Sequence, residues 1–355
     1  MKKTCNVSVV MCTYNGASRH LREQLDSIFA QTLLPMEIVA QDDGSTDDTL
    51  AILHEYAAKA PEGVSFRVSV NGGRHGINDN FLSAMALASG EWIAISDQDD
   101  IWMPTKIEEQ LAAIGDNMMC VCRSVPFSDT GAAVRHDSRT PCCGLLRLLY
   151  ASMPGHCQLL RKSLIEALPS RDEYGEIYSR TCYDVMTGTA AAALDSILML
   201  DRVLVMQRRY EGAATYAGYD TRRVRSGGNA VYMAAYGLWH YRRVKPYMTA
   251  HFNARRQLLM WIGRKWQAAC DEERDPKARA TACNDMMREG MRLLKWECRG
   301  GITAIAGLAA MYVRHRHEIF YTREDGPMAV IRALLHPFMQ VYNYRYLVTK
   351  VHESV

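Results

Sequence analysis

Three carboxylates fall within four positions of the segment IAISDQDDIWMP (93–104), namely Asp97, Asp99 and Asp100. A short apolar run precedes them, so the acids follow a predicted strand. Carboxylates this close together repel one another and lose solvation energy unless a positive group lies among them. At the C-terminal end of a strand, a divalent metal with a phosphate on its far side commonly supplies that charge. The cluster therefore indicates chemistry on a nucleotide-activated substrate.

The spacing of the acids suggests how they are shared. Residues two positions apart on an extended segment point the same way, so Asp97 and Asp99 can face one metal while Asp100 turns aside. The alternative is an acidic loop or a helix cap before Pro104.

Two further segments could contact a phosphorylated ligand. Asp42 and Asp43 end a predicted strand at 37–43, and the turn at Gly44 lets backbone approach a ligand. One of these acids can accept a hydrogen bond from a base or a ribose, although ordinary turn chemistry explains them equally well. In the glycine-rich loop NGGRHGIN, Arg74 can reach a phosphate or simply be exposed.

The first hundred residues alternate strand and helix patterns. Apolar, β-rich runs at 7–12, 37–43, 65–70 and 91–96 predict strands, and each of the first three is followed by a helical pattern. This order predicts a parallel, doubly wound sheet with helices on both faces. Ligand sites in such sheets lie beyond the C-terminal strand ends. Three polar clusters follow strands at that edge: Thr13–Tyr14–Asn15, Asp42–Asp43 and the acid cluster.

The later part of the chain divides into two predicted regions. Up to residue 220 the pattern includes a strand MCVCRSVPF, a helix beginning at Tyr183–Asp184 and a strand or hairpin in ILMLDRVLVMQRRY. Gly218 to Gly228 predicts a linker. Residues 221–355 read as helices rich in Arg, Trp, Tyr and Met. We expect an α/β domain at 1–220 and a helical C-terminal region at 221–355.

Charge is unevenly distributed along the 355 residues. Residues 226–355 hold 20 Lys and Arg against 11 Asp and Glu, a net charge of +9, whereas the whole chain carries +3. This asymmetry predicts a catalytic domain followed by a region that touches an anionic surface, or else a solvated basic helical face.

Cysteine usage and hydropathy bear on the compartment. The eleven cysteines are scattered, and the first residues do not form a secretion signal, so a reducing cytosol is expected. No run reaches the roughly 18 apolar residues of a membrane span. A GxGxxG fingerprint and a P-loop are both missing from the sequence, which argues against a dehydrogenase and a P-loop kinase.

Three motifs together resemble a known family. The segments VSVVMCTYNG, QDDGSTDDT and SDQDDIWMPTKIEEQ are similar to those of the family 2 nucleotide-diphospho-sugar transferases, which are inverting glycosyltransferases of the GT-A fold. SDQDDIW, with PGH further on, is most similar to bacterial rhamnosyltransferase-like members. The resemblance covers residues 5–115 closely and 150–215 loosely.

The resemblance implies roles on the donor side. Asp97 and Asp99 match the family's DXD motif, which holds the donor diphosphate through Mg²⁺ or Mn²⁺. Asp42 or Asp43 would bind the base or ribose. The remaining donor-side residues would be Thr13, Tyr14 and Asn15 in the nucleotide pocket, Arg74, and Arg208 near the diphosphate or the acceptor.

The acceptor side departs further from the family pattern. Asp184 is the best match to the catalytic base, although it could be only a helix N-cap. Tyr183 stands where the family usually has an acid or a histidine, and Arg209–Tyr210 replaces a more familiar sequence with histidine. His156 matches a turn near the sugar and could instead be structural.

The expected function is therefore the transfer of a sugar with inversion, from a dTDP-, UDP- or GDP-linked donor to a hydroxyl of a glycan or lipid-linked acceptor. We expect the product to serve cell-surface polysaccharide or lipopolysaccharide synthesis, such as that of O-antigen or capsule.

Two alternative functions remain. A nucleotidyltransferase would need an early glycine-rich signature that is missing from the sequence. A catalytically inactive glycan- or lipid-binding module would not need Asp184 or the intact acids.

The basic and aromatic C-terminal helices suggest a location and partners. Such helices can lie on an anionic leaflet, which predicts a peripheral protein on the cytoplasmic face of the inner membrane. Alternatively, Trp261, Trp266 and Trp296 face the core or a second copy in a homodimer. No nucleic-acid recognition motif accompanies the charge.

Overall fold

The computed structural model describes residues 2–17, 20–131, 142–210, 228–272, 277–320, 326–345 and 348. The chain forms two compact units. Unit 1 comprises Met1–Cys143, Ser152–Leu168 and Cys182–Gly218, and unit 2 comprises Gly144–Ala151, Pro169–Thr181 and Tyr219–Val355. The domain boundary at residue 220 stays a prediction. The predicted linker lies outside the described residues as far as 227.

Within the described part of unit 1, eight strands form one sheet in the order β3-β2-β1-β4-β7-β6-β8-β5. The strands are β1 (Thr4–Thr13), β2 (Leu34–Asp42), β3 (Ser65–Val70), β4 (Trp92–Ser96), β5 (Ile101–Trp102), β6 (Met119–Phe127), β7 (Gln158–Arg161) and β8 (Ile197–Arg208). Strands β3, β2, β1 and β4 are parallel, as are β6 and β8, whereas β7 is antiparallel to both of its neighbours. The predicted α/β class with a mostly parallel sheet is confirmed.

The described helices follow the sequence in chain order. They are α1 (Leu21–Phe29), α2 (Thr49–Ala58), α3 (Ile77–Leu87), α4 (Lys106–Ala113), α5 (Leu145–Leu148), α6 (Lys162–Glu166), α7 (Arg171–Arg180), α8 (Tyr183–Ala193), α9 (Gly228–Glu272), α10 (Lys277–Glu297), α11 (Ile302–Arg314), α12 (Arg316–Ile319) and α13 (Pro327–Asn343), with a 3₁₀ turn at Gly155–Cys157. Helices α5, α7 and α9 to α13 belong to unit 2.

Strand β1 is the centre of the parallel half of the sheet. Val7, Val9, Val10 and Met11 are fully buried, because helices cover a parallel sheet on both faces and a central strand then needs no polar face. The register pairs Thr13 with Asp42, so β1 and β2 end at the same edge. The polar clusters after β1, β2 and β4 therefore share one edge, as the sequence predicted.

The sequence predicts a strand or a hairpin over residues 197–210. The structure shows a single long strand, β8, that runs parallel to β6, with register shifts between Val121 and Ser124. Its last described pair is Phe127 with Arg208, which carries Arg208 past the end of β4 toward the acid cluster.

Unit 2 packs around a buried carboxylate. Glu297 accepts hydrogen bonds from Lys245 Nζ at 3.0 Å, from Tyr312 at 2.6 Å and from Tyr150 at 2.9 Å. A buried charge is tolerated only when it is paired and hydrogen-bonded in this way. The helical character predicted for the C-terminal region is confirmed. Within the part of the chain that the structure describes, we find no helix with the length and apolarity needed to cross a membrane.

Helices α9 and α13 of unit 2 cross closely at a glycine. A Cβ atom added to Gly237 would lie 1.9 Å from the carbonyl oxygen of Phe338 and 2.6 Å from its carbonyl carbon. Because the obstacle is backbone rather than a flexible side chain, the helices can accommodate the extra atom only by moving apart.

Replacing this glycine should therefore destabilise unit 2. We expect Gly237→Ala to lower the free energy of unfolding by about 1–3 kcal/mol, the usual cost of overpacking. Gly175→Ala is the matched control, because Gly175 lies in α7 with open space around its Cα. That change should raise stability by about 0.5–1 kcal/mol through lower backbone entropy. Denaturant titration measures both, and equal effects of the two changes would contradict the close crossing.

Candidate active site

The acid cluster lies in the loop between β4 and β5, and β7 brings a histidine to it. Trp92 pairs with Arg161 and Ala94 with Leu159 in the antiparallel register of β4 and β7. Continuing this register by three residues places position 156 opposite position 97. His156 occupies the 3₁₀ turn that precedes β7, so strand pairing alone delivers its imidazole to the end of β4.

The imidazole lies between two carboxylates. His156 Nδ1 is 3.1 Å from Asp97 Oδ2 and 3.3 Å from Asp100 Oδ2. Its other nitrogen, Nε2, is 3.2 Å from Ser124 Oγ. His156 and Asp100 are buried, whereas Asp97 is partly exposed. Since Nδ1 faces two acids, we assign its proton there, where it donates to Asp97 Oδ2.

Burial and mutual charge set the electrostatics of this group. Burial, reinforced by the negative charges of Asp97 and Asp99, raises the pKa of Asp100 to about 7, although His156 opposes the shift. For His156, burial disfavours the imidazolium, but the carboxylates of Asp100 and Asp97 raise its pKa above the ordinary value. The two carboxylates thus favour the charged form of the imidazole, and burial opposes it.

The same three residues fit a divalent metal. Among the described residues, Asp97, Asp100 and His156 each offer a ligand atom, and these atoms lie within 4.8 Å of one another. Asp100 Oδ2 is buried and accepts no hydrogen bond within the described residues, which leaves a lone pair available. Two carboxylates and one imidazole form a donor set that suits a divalent cation.

Asp99 is engaged differently from its neighbours. Its Oδ2 accepts a hydrogen bond of 2.6 Å from the hydroxyl of Tyr210, and its carbonyl accepts one of 3.0 Å from Arg208 Nε. The sequence predicted Asp97 and Asp99 as the metal ligands and Asp100 as the acid turned aside. The geometry instead joins Asp97 with Asp100 and His156, while the metal role of Asp99 stays a prediction.

Asp42 and Asp43 hold the loops at the neighbouring strand end. Asp42 is buried and accepts hydrogen bonds from Thr13 Oγ1 at 2.9 Å, from Ser45 Oγ at 2.5 Å and from the backbone amides of Gly44 and Ser45. Four donors on one carboxylate fix the turn after β2 against the end of β1. This bracing was not evident from the sequence.

Asp43 ties the glycine-rich loop to the same edge. It accepts from Asn71 Nδ2 at 2.8 Å, from the backbone amide of Gly76 at 2.7 Å and from His75 Nδ1 at 3.1 Å. Arg74 lies exposed in that loop. The predicted contacts of Asp42 or Asp43 with a base or ribose, and of Arg74 with a phosphate, stay predictions.

The turn after β1 presents an aromatic ring beside the loop between β4 and β5 (97–100), which we call the acid loop. The Gln98 side chain accepts from the Tyr14 amide at 2.9 Å and donates to the Tyr14 carbonyl at 3.2 Å, while the Tyr14 side chain is 54% exposed. Asn15 has φ 46°, which asparagine tolerates better than most residues. Its side chain accepts from the Thr46 amide at 2.9 Å, so the turns after β1 and β2 support each other.

Arg208 braces the acid loop from β8. Its backbone amide donates to Asp100 Oδ1 at 3.0 Å, and its buried guanidinium forms ion pairs with Glu23 and Asp129. These bonds show that Arg208 holds the acid loop in place. A contact of Arg208 with a diphosphate or an acceptor stays a prediction.

Tyr183 and Asp184 begin α8 on the other side of the cluster. Tyr183 is buried and stacks on Phe81 with ring centroids 4.3 Å apart. The Asp184 carboxylate accepts from the Val185 amide at 2.8 Å and bonds to the Ser152 side chain. Burial raises the pKa of Asp184, and the nearby charge of Asp97 adds to the rise. A raised pKa makes this carboxylate a stronger base.

Comparisons with known proteins bear on the family of this chain. Residues 8–169 match the family model described as Glycosyl transferase family 2. The uncharacterized protein Rv1520 of Mycobacterium tuberculosis is 37% identical over 146 residues, which is 41% of this chain and 36% of that protein. The dTDP-rhamnosyl transferase RfbG of Shigella flexneri is 35% identical over 118 residues, 32% of this chain and 40% of RfbG.

Solved structures bear on the fold alone. TarS 1-349 of S. aureus, crystallised with UDP-GlcNAc, superposes with a TM-score of 0.53 at 17% identity, covering 100% of this chain and 92% of that one. The chain spans about a third of the length of the mycobacterial relatives it matches. Residues 8–169 match the glycosyl transferase family 2 model, and the fold is that of GT-A glycosyltransferases, in agreement with the resemblance that the motifs predict.

The packing at Gly155 yields a test of how His156 is positioned. A Cβ atom on Gly155 would lie 2.1 Å from Tyr183 Oη and 2.8 Å from its Cζ, and the stacked Tyr183 ring has little room to move. We expect Gly155→Ala to destabilise the protein by about 1–3 kcal/mol. Adding Tyr183→Phe removes the nearest atom and should restore part of that loss.

A double-mutant cycle measures the effect, with thermal or denaturant unfolding of the wild type, both single variants and the double variant. The stacked arrangement requires a favourable coupling between the two changes. Strictly additive effects would show that Gly155 and Tyr183 are not in contact.

Proposed function

We propose that the chain is an inverting glycosyltransferase that moves a sugar from a nucleoside-diphosphate donor to a hydroxyl of a glycan or lipid-linked acceptor. One observation carries the proposal: within a family 2 domain, Asp97, Asp100 and His156 converge at the strand edge, and a partly buried carboxylate, Asp184, lies within the electrostatic reach of Asp97.

The donor side is proposed from the edge of the parallel strands. Tyr14 presents an exposed ring beside the acid loop, which suits stacking or edge contact with a nucleotide base. Relatives support the donor class, since RfbG is named a dTDP-rhamnosyl transferase and TarS was crystallised with UDP-GlcNAc. We infer a dTDP-, UDP- or GDP-linked sugar for this chain.

The residues fit a catalytic role for a bound cation. Asp97, Asp100 and His156 would hold Mg²⁺ or Mn²⁺, with Asp99 as a further candidate ligand. When bound, such an ion neutralises negative charge on a leaving diphosphate.

Asp184 performs the proton transfer in this proposal. The acceptor hydroxyl oxygen attacks the anomeric carbon, the bond from that carbon to the diphosphate oxygen breaks, and the hydroxyl proton passes to the Asp184 carboxylate. Attack opposite the leaving group inverts the configuration. Burial of Asp184 favours the reaction, because a desolvated carboxylate with a raised pKa accepts a proton more readily.

We also propose that unit 2 brings the protein to the cytoplasmic face of an anionic membrane, where a lipid-linked acceptor of a cell-surface polysaccharide such as O-antigen or capsule would be found. Supporting this, Leu238 and Trp239 of α9 are 65% and 86% exposed, and the exposed Arg242 and Arg243 follow them. Exposed aromatic and basic residues on one helix favour a bilayer interface. A homodimer stays a further proposal, and the expectation that nucleic acid is not a partner stays a prediction.

The three tryptophans that could instead face the core lie in different surroundings. Trp296 packs on α11, since a Cβ atom on Gly307 would lie 2.5 Å from its ring. The Trp261 ring lies 5.1 Å from Lys265 Nζ. The side chain of Trp266 lies outside the described residues.

Replacing the proposed base tests the function. We expect Asp184→Asn to lower nucleoside diphosphate release about 10²–10⁴-fold, the usual worth of a general base, while donor binding stays intact. The assay presents UDP-, dTDP- and GDP-sugars with Mn²⁺ and measures released diphosphate and donor affinity. Asp116→Asn is the matched control, because Asp116 is exposed and far along the chain from the cluster.

Wild-type turnover in the Asp184→Asn variant would remove Asp184 from the mechanism. No release from any donor by the wild type, despite donor binding, would favour the inactive binding module instead.

A further inference from the structure

Unit 2 contains a basic cavity that the proposed reaction does not use. It has a volume of about 530 Å³ and is formed by α9, α10 and the residues that follow α10. Five cationic side chains line it: Arg256, Arg288, Arg292, Lys295 and Arg299. We call this the basic pocket.

The spacing of these residues concentrates their charge on one side of α10. Positions 288, 292 and 295 follow one another at intervals of four and three, so they form a single stripe along α10. Arg299 lies just beyond the end of α10, and Arg256 lines the same cavity from α9. Like charges at such spacing destabilise a helix. Three cations on one helix face, with two more around the same cavity, therefore favour an anionic ligand.

Among the side chains of unit 2 that the structure describes, carboxylates offset only part of this charge. Arg288 pairs with Asp285 at 2.5 Å, and Arg292 pairs with Glu289 at 2.8 Å. His315 Nε2 lies 3.2 Å from Glu289, so that carboxylate is shared.

The other three cations form no ion pair among the described residues. Arg256 is half-buried, and Lys295 and Arg299 are exposed, so the charge reaches solvent. Arg299 also lies 5.8 Å from the centre of the Trp296 ring, which helps to orient its guanidinium. Cys298 adds no negative charge, because burial raises the pKa of its thiol.

The composition of the basic pocket identifies the class of anion. Guanidinium groups bind the oxygens of phosphate in bidentate geometry, and a lysine adds a mobile point charge. Several such groups around one cavity suit a ligand with many charged oxygens, such as a phosphate monoester or a diphosphate. A single carboxylate would leave most of the donors without a partner.

We propose that the basic pocket binds the phosphate groups of a phosphorylated ligand, at a site within unit 2 that is separate from the donor site in unit 1. Arg256, Lys295 and Arg299 supply the binding charge, and Arg288 and Arg292 exchange part of their pairing with Asp285 and Glu289 for the ligand.

Calorimetric titration of the full chain with inorganic pyrophosphate tests the proposal. EDTA is present, so that metal-dependent binding at the donor site does not contribute. The pocket variant is Arg256→Ala/Lys295→Ala/Arg299→Ala. The control variant, Lys265→Ala/Arg314→Ala/Arg332→Ala, removes the same charge from exposed positions of unit 2 outside the pocket. Lys295→Glu alone serves as a second pocket variant with a minimal effect on folding.

The proposal requires pyrophosphate to bind the wild type and the control variant with similar affinity and the pocket variants about tenfold or more weakly, because charge-assisted hydrogen bonds are lost. Donor affinity, measured separately with Mn²⁺, should be the same in all four proteins. This readout separates failure of the pocket from failure of the proposed transferase function.

Vesicle flotation distinguishes the sources of the phosphate. Binding to phosphatidic acid vesicles but not to phosphatidylcholine vesicles, with loss in the pocket variant alone, assigns the site to a lipid headgroup. Pyrophosphate binding without vesicle binding assigns it to a soluble phosphorylated ligand. If neither probe binds, or if the control variant loses as much affinity as the pocket variant, the basic pocket is not a phosphate site.

Discussion

The placement of the His156 imidazole between the carboxylates of Asp97 and Asp100 is the interaction on which the active-site edge depends. Asp100 is buried, and a buried carboxylate without a positive partner costs several kcal/mol. The His156 imidazole lies beside it, with Nδ1 3.3 Å from Asp100 Oδ2 and 3.1 Å from Asp97 Oδ2. The pairing of β4 with β7 makes this possible, because it sets the turn before β7 against the end of β4.

The acid loop is held from two further directions. The Arg208 backbone amide donates to Asp100, and the Arg208 side chain donates to the Asp99 carbonyl. The end of β8 therefore fixes the same loop whose carboxylates lie beside His156, just before β7. The backbone of Tyr14, in the turn after β1, forms two hydrogen bonds with the side chain of Gln98, which lies in the acid loop. One short segment thus joins the parallel half of the sheet to the mixed half. In the proposed function, the same groups that stabilise this edge of the sheet would also hold the cation and the diphosphate.

The sequence predicted the parallel half of this fold well and the joining of the two halves poorly. Strands β1, β2 and β4 are largely buried on both faces and leave continuous apolar runs, so their shared edge follows from the alternation of strand and helix. His156 was recognised only as a turn residue near a sugar, because the antiparallel register that brings it to Asp97 joins segments far apart in the chain. The net positive charge of residues 226–355 was visible in the sequence, but the approach of Arg256 to the cations on and after α10 depends on helix packing that no local pattern encodes.

The central claim is that the carboxylates at the end of β4 hold a nucleoside diphosphate through a cation, and a titration of UDP into the protein with Mn²⁺ or with EDTA tests it most directly. We expect UDP to bind with Mn²⁺ and to bind little with EDTA. The Mn²⁺-dependent part of the affinity should be lost in Asp97→Asn but not in Asp116→Asn. Parallel titrations of Asp99→Asn and Asp100→Asn identify the second carboxylate ligand. Equal UDP affinity in Mn²⁺ and EDTA, unchanged in Asp97→Asn, would contradict the account.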